Sequence, residues 1–322
     1  MDAVKTLSIR RRSTQLRTID KQRFVSKTLS QKANWIIYGS QLDEETFACI
    51  DDYVGDETYL VDLWRVGNYD VALIIGALTE AHKTIILELG LEFADVSSVP
   101  KLYQPGLIVM DMDSTAIQIE CIDEIAKLAG VGDEVSEVTE RAMQGELDFE
   151  QSLRQRVGKL ENAPESILEQ VRSTLPLMPG LPQMVKTLQA FGWKVAIASG
   201  GFTYFSDHLK EMLDLDYAQS NQLDIVDGKL TGKVLGGVVS AQTKAEILVK
   251  LSQEYGIDIS NTVAIGDGAN DLVMMEAAGL GIAYHAKPKV TAAAQTAIHT
   301  SDLNAVLCIL SASIAKAKRL SW

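Results

Sequence analysis

Two carboxylates, Asp111 and Asp113, follow directly on four apolar residues, Leu107 to Met110. The apolar run, bounded by Pro105-Gly106 and by the acids, predicts a short buried strand of a parallel sheet. Ligands of open α/β sheets bind beyond the carboxyl ends of the strands, so both acids would point into a site. Carboxylates this close repel one another unless a cation or a shared proton relieves them. A hard divalent cation, most simply Mg2+, would do so, and an aspartate can also act as a covalent nucleophile. The hydroxyls of Ser114 and Thr115 come next. Taken alone, the same residues would equally suit a polar strand end followed by an N-cap.

Two further strand ends carry chemistry. Trp193 to Ala198 reads as a buried strand ending in Ser199-Gly200-Gly201. A strand-to-helix turn of small residues exposes N–H groups at a helix N-terminus, which suits a phosphate, and Ser199 adds a hydroxyl donor. By itself Ser-Gly-Gly is no more than a tight turn. Thr262 to Ile265 reads as a third buried strand, running into the GDGAND stretch, Gly266 to Asp271. There Asp267 is the better-placed metal ligand, with Asp271 in support on the same turn. The stretch is not a GxGxxG fingerprint, and no GxxxxGK[ST] occurs in the chain, so a P-loop NTPase reading fails. Lys244, opening a predicted helix, could reach back as a phosphate counter-charge; a lone lysine is more often a solvated surface charge.

The elements that must position these residues alternate. After the DxD strand, helical spacing covers Glu120–Leu128, Asp133–Met143, Phe149–Leu160 and Pro164–Ser173, an insertion that could act as a lid over a strand-end site. Leu181–Phe191 is then a crossover helix and Phe202–Leu213 a helix. Leu223–Val226 and Leu230–Val234 read as a hairpin, Lys244–Tyr255 and Leu272–Ala278 as helices, Gly281–Tyr284 as a strand and Leu303–Ala317 as the closing helix. Strands alternating with helices predict a doubly wound parallel sheet. Upstream, Trp35–Gly39, Asp43–Val54, Thr58–Val66, Val71–Gly76, Thr79–Leu89 and Leu91–Val96 read as βαββαβ, the order of a small ferredoxin-like domain. This order resembles the ACT-type small-molecule-sensing domains, and a packing or dimerisation domain fits it as well. Residues 1–32 are polar and basic and would be a mobile or loosely docked arm. The expected division is therefore an arm over 1–32, an N-terminal domain over 33–100, and a core over 101–322 with a helical cap at about 118–180.

Composition bounds the partners. The chain has 322 residues, 47% hydrophobic and 23% charged, and a formal net charge of −13. Its length suits about two domains of roughly 100–200 residues each. The acidic balance argues against a nucleic-acid surface or anionic lipid. Cys49, Cys121 and Cys308 lie far apart without a CxxC pair, so no disulfide framework or zinc site is expected and a reducing cytoplasm is the natural setting. Cys121 reads as a small buried hydrophobe. The early charges, Arg10-Arg11-Arg12 among them, leave no apolar core for a signal peptide. Leu303–Leu310 falls far short of the ~20 residues that span a bilayer. His82, His208, His285 and His299 are scattered, with only His285 expected near the site.

DMDST, then SGG, a lone Lys and GDGAND, in that order, resemble the four motifs of the haloacid-dehalogenase-like phosphatases. The segments DSTAIQIECIDEIA, TERAMQGELDFEQSLRQRV, ASGGF, DGKLTG and AIGDGAND resemble the phosphoserine phosphatases among them. The likeness runs from about Leu107 to the C-terminus; bacterial members commonly carry an extra N-terminal domain. The resemblance implies Mg2+-dependent hydrolysis of O-phospho-L-serine to L-serine and phosphate, the last step of serine biosynthesis. Asp111 would be the nucleophile, becoming a phospho-aspartate, and Asp113 the acid and base. The metal would sit on the Asp111 carboxylate, the Asp113 main-chain carbonyl and Asp267, with Asp271 orienting that shell. Ser199, the Gly200 backbone and Lys244 would hold the phosphoryl group, with Asn270 in contact. Glu120 would meet the substrate ammonium and Arg156 its carboxylate, Arg154 being the nearest rival. Met143 and Phe149 would form apolar walls of the closing cap. The alternatives are a phosphatase or phosphotransferase for another small phosphoester, or a catalytically silent sensor on the same fold. A homodimer and L-serine binding at the N-terminal domain are further expectations.

Overall fold

In the computed structural model, which describes residues 4–11 and 19–320, alternation along single strands decides how the chain is layered. The N-terminal part comprises β1 (Ile9–Arg10), two 3-10 turns at Lys21–Arg23 and Lys27–Gln31, β2 (Trp35–Gly39), α1 (Glu44–Val54), β3 (Tyr59–Val66), β4 (Tyr69–Ile75), α2 (Glu80–Glu88) and β5 (Glu92–Asp95). Asp43 caps α1 by accepting from Thr46 N at 3.0 Å, and Gly55, with φ +79°, ends it. The strands form one antiparallel sheet in the order β1-β3-β4-β2-β5. Without its β1 edge this is the ferredoxin-like order. On β2, Trp35 and Ile37 face Phe47, Ile50 and Ile86 of the two helices, whereas Ile36 and Tyr38 face the rest of the molecule.

The expected loose arm is docked over its described part. Ile9 and Arg10 pair with Val66 and Arg65, Arg11 is ion-paired with Asp62, and Arg23 with Glu44 and Asp51. Burial of the Arg23 side chain and its two carboxylate partners on α1 hold the segment against that helix, where composition alone suggested a mobile or loosely docked arm. Arg12 lies outside the described residues.

The larger sheet comprises β6 (Leu107–Met110), β7 (Lys194–Phe202), β8 (Tyr217–Val226), β9 (Lys229–Leu235), β10 (Thr262–Gly266), β11 (Leu280–Tyr284) and β12 (Thr296–Ile298). Their order is β12-β11-β10-β6-β7-β8-β9, parallel except for the β8–β9 hairpin. Leu107 to Met110 are fully buried, as the continuous apolar run requires. Between β6 and β7 lie α3 (Cys121–Ala129), α4 (Gly132–Met143), α5 (Phe149–Gly158), α6 (Ser166–Ser173) and α7 (Leu181–Ala190). The remaining helices are α8 (Thr203–Leu213), α9 (Ala241–Glu254), α10 (Leu272–Ala277), α11 (Pro288–Ala293) and α12 (Ala305–Lys316). All residues from Ala305 to Ala315 are buried, the mark of a helix covered all round. α12 packs on β2, β3 and β4, and Trp64 Nε1 donates to Ser311 Oγ at 2.8 Å across that contact. Among the described residues no helix is long and apolar enough to cross a membrane.

Three local readings change. Ser199-Gly200-Gly201 lies within β7, where the register against β8 shifts between Ala198 and Phe202, so the tight turn is an irregular strand end. The hairpin's first strand starts at Tyr217, because its first half runs beside β7 and is set by sheet pairing, not by apolar alternation. α11 and β12, short and composed largely of Ala and Thr, carry no periodic signal of their own.

Candidate active site

The strand ends of β6, β7 and β10 open into one cleft of about 140 Å³. Asp111, Asp113, Glu120, Arg156, Ser199, Gly200, Asp267 and Asn270 all line it, together with Ile122, Phe149, Leu153, Gly201, Phe202 and Gly268. Lys244 and Asp271 stand directly behind that lining.

Asp111 follows β6 because its own N–H continues the sheet, donating to Ile265 O at 3.0 Å. Its Oδ1 accepts from Met112 N at 2.8 Å and pairs with Lys244 Nζ at 2.9 Å. Both donors fall on one oxygen, leaving Oδ2 without a hydrogen bond from the described residues. Lys244 is brought in by α9, whose N-cap Ser240 accepts from Thr243 N at 3.2 Å. Its ammonium also donates to Asp271 Oδ1 at 2.7 Å, and Asp271 Oδ2 accepts from Gly268 N at 3.0 Å. Burial opposes the charged ammonium, yet Asp111 and Asp271 outweigh it and hold the Lys244 pKa above its ordinary value. A fully buried lysine is tolerated here because it has two carboxylate partners.

One oxygen from each of Asp111, Asp267 and Asp271 lies within 4.8 Å of the others. Burial, then repulsion from Asp111 and Asp271, pushes Asp267 up to about 7. An all-oxygen donor set whose charges are mutually frustrated fits a hard cation. The Asp113 side chain is not part of this set. Its carboxyl accepts from Cys121 N at 3.3 Å at the start of α3. Asp113 keeps part of its surface open, but the cleft walls, then Glu120 and Asp111, push its pKa up to about 8. Cys121 itself is buried and its thiol pKa is raised by that burial, so it is packing material.

On β7, Ser199 Oγ accepts from Gly201 N at 2.9 Å, which keeps its own proton available to a ligand. A Cβ on Gly201 would come within 2.8 Å of Asp113 Oδ2 and 2.5 Å of Met112 Cε, so any larger residue would displace the Asp113 carboxylate or the Met112 side chain. A residue without a motif completes this wall. Buried Asn221 donates to Gly200 O at 2.7 Å and accepts from Val239 N at 2.8 Å. It ties the Ser-Gly-Gly segment to the approach of α9. Nothing in its sequence neighbourhood, Tyr217 to Val226, singles it out.

The cap side supplies Glu120, Phe149, Leu153 and Arg156. Glu120 accepts from Ser114 Oγ at 2.7 Å at the cleft mouth. Arg156 Nε is buried and has no hydrogen-bond partner among the described residues. Burial lowers the Arg156 pKa, opposed by Asp123, Glu120 and Asp113. Arg154 points elsewhere, pairing with Glu150 at 2.7 Å on the surface. Phe149 packs so closely on Gly200 that a Cβ there would lie 2.6 Å from its ring. Met143, expected as a wall of the closing cap, does not line the cleft in this structure: it is 69% exposed at the end of α4. His285 is also outside the cleft, stacked on Tyr284 with ring centroids 4.0 Å apart and bonded to Ser301 O.

Known proteins resemble this chain in sequence and in fold. A family model described as haloacid dehalogenase-like hydrolase matches residues 105–279, more than half of the chain. The chain belongs to that hydrolase family. The acidic cluster accordingly suits the metal ion that phosphatases of the haloacid dehalogenase-like family typically use. A domain of unknown function, DUF5609, matches residues 31–95. The phosphoserine phosphatase of Vibrio cholerae is 63% identical, covering 100% of this chain and 98% of its own length. The unliganded crystal structure of a probable phosphoserine phosphatase from Vibrio cholerae superposes with a TM-score of 0.93, covering 100% of both chains at 63% identity. A structure described as a phospho-aspartyl intermediate analogue of phosphoserine phosphatase shares 45% identity, with a TM-score of 0.60 over 63% of this chain and 98% of its own.

Proposed function

We propose that the chain is a phosphoserine phosphatase, hydrolysing O-phospho-L-serine to L-serine and phosphate through an aspartyl-phosphate, the last step of serine biosynthesis. The carrying observation is one cleft that joins a phosphoryl half, Asp111, Asp113, Ser199 and Asp267, to a cap half, Glu120 and Arg156. The full-length relative and the phospho-aspartyl analogue support the same reading.

In this mechanism Asp111 Oδ2 attacks phosphorus while the bond to the serine oxygen breaks. The leaving oxygen takes a proton from Asp113, whose carboxyl pKa is raised by the cleft walls and then by Glu120 and Asp111. Water then attacks phosphorus and gives its proton to Asp113 as the phosphorus–Asp111 bond breaks, which regenerates both acids. Ser199 Oγ–H, the Gly200 backbone N–H and Asn270 orient the phosphoryl oxygens, and Lys244 balances the charge of Asp111 from behind. Bound Mg2+ would be held by Asp111, the Asp113 carbonyl and Asp267, and would neutralise phosphoryl charge. Asp271, with both oxygens engaged by Lys244 and Gly268, supports this set. Arg156, carrying an unpartnered buried Nε, takes the substrate carboxylate, and Glu120 its ammonium.

The division near residues 33 and 100, with a cap at about 118–180, belongs to the same reading; the two separate sheets support it. A cytoplasmic setting is supported by three free cysteines. L-serine binding at the N-terminal domain and a homodimer are parts of the proposal, to be tested by serine titration and by solution mass. Turnover compared across O-phospho-L-serine, phosphoethanolamine and glycerol phosphate tests the substrate. Preference for phosphoserine is expected, and equal turnover of all three would overturn the assignment.

A further inference from the structure

The chain leaves the core after β6 and returns to it through residues 174–180, so the angle of the cap is set by these two legs. They bond to each other, Met178 N donating to Ala116 O at 2.9 Å and Gln118 N to Pro176 O at 3.0 Å. The return leg ends at Pro179-Gly180, where the chain turns into α7. Gly180 has φ +83°, and a Cβ there would lie 2.9 Å from both Asn304 N and Asn304 Nδ2. Leu303 N donates to Pro179 O at 3.0 Å. The leg therefore rests, backbone against backbone, on the loop over residues 299–304.

That loop is held from the N-terminal domain. Glu92 on β5 is fully buried, and its carboxylate accepts from His299 N at 3.0 Å, Thr300 N at 2.7 Å and Ser301 N at 3.1 Å. Thr300 Oγ1 at 3.2 Å and His299 Nδ1 at 2.9 Å complete the shell. Successive N–H groups converging on one carboxylate fix a loop's backbone as well as its position. Beside it, Tyr69 OH donates to Asp302 Oδ1 at 3.1 Å and accepts from Asp302 N at 3.3 Å. Asp302 Oδ1 also receives Asn304 N at 2.9 Å, the atom facing Gly180. A third tie joins Leu7 N to Thr187 Oγ1 on α7 at 2.9 Å.

We infer that Glu92 and Tyr69 of the N-terminal domain are positioning residues for the cap-borne half of the substrate site, acting through loop 299–304 on the Pro179–Gly180 hinge. The inference rests on the proposed reading only in its substrate; the mechanical chain stands on the contacts. Loosening the loop lets the return leg shift, and Arg156 and Glu120 move with the cap while Asp111, Asp113 and Lys244 stay on the core. The effect thus falls on recognition of the carboxylate and ammonium, not on phosphoryl chemistry.

The test uses the full-length chain with Glu92→Gln, which keeps the shape but places an amide against N–H donors, and Tyr69→Phe, which removes one hydroxyl. Hydrogen–deuterium exchange is followed at residues 174–182, with KM and kcat for phosphoserine and for p-nitrophenyl phosphate, which lacks both cap-recognised groups. Faster exchange at 174–182 and a rise of about three- to tenfold in KM for phosphoserine are expected, with p-nitrophenyl phosphate unchanged. Exchange that quickens only at 299–304, or equal losses on both substrates, would overturn the inference. Should Glu92→Gln fail to fold, Tyr69→Phe decides by the same readouts. Absence of phosphoserine turnover in the wild type would refute the substrate reading instead, leaving the exchange at 174–182 to judge the hinge.

Discussion

Lys244 Nζ donates to Asp271 Oδ1 across 2.7 Å, and neither side chain is reached by solvent. The same ammonium lies 2.9 Å from Asp111, so one buried cation organises two of the three clustered acids. Lys244→Met would leave two buried carboxylates without a counter-charge. A stability loss of about 3–5 kcal/mol is expected, as when one member of a buried pair is removed. Turnover should fall by about 10²–10³-fold in whatever fraction remains folded. Urea denaturation and phosphate release check the two parts separately.

Arg156 and Arg154 sit two residues apart on α5 and face different surroundings. Arg156→Ala should raise KM for phosphoserine by about 10- to 100-fold, the worth of a charged hydrogen bond. KM for phosphoethanolamine, which has no carboxylate, should barely move. Arg154→Ala removes only a surface pair with Glu150 and should stay within about twofold on both substrates. Equal effects of Arg156→Ala on the two substrates would refute the carboxylate contact.

Glu92 gives the fold a pH dependence of known sign. Burial raises its pKa, but donors from His299, Thr300 and Ser301 outweigh it, so the folded value lies below the ordinary 4.5. Its contribution is therefore present above pH 4.5 and is lost as pH falls through the folded value. Glu92→Gln should cost about 1–3 kcal/mol at pH 7 and show a flatter decline of melting temperature on acidification than the wild type. Parallel declines would contradict the assignment.

The N-terminal domain is also a cover for α12. Trp64, Val71 and Leu73 belong to one buried cluster with Leu307, Ile309 and Ile314. Removing residues 1–100 would expose that face, so the remaining chain should be aggregation-prone or bind a hydrophobic dye strongly. A soluble, cooperatively folding 101–322 fragment would contradict this.

The chemistry was legible where it is local. LIVMDMDST and GDGAND each join an apolar strand to its acids within a few residues, and the structure places both at the carboxyl ends of two neighbouring central strands. The cap helices and the ferredoxin-like order were legible for the same reason, through helical and strand periodicity. What escaped depends on contacts far apart in the chain. Asn221 gains its meaning from Gly200 and Val239, and Glu92 from residues 299–301. The docking of the basic arm depends on Asp62, Glu44 and Asp51, which no local pattern links to it. Met143 lies outside the cleft lining, exposed at the end of α4, a placement that helical spacing alone does not give.

The most direct test of the central claim is phosphate release from O-phospho-L-serine, with and without Mg2+, by the wild type and by Asp111→Asn. Release that requires the metal in the wild type and vanishes in the folded variant is the predicted result. Release that persists in Asp111→Asn, or its absence from folded wild type with Mg2+ present, would contradict the account.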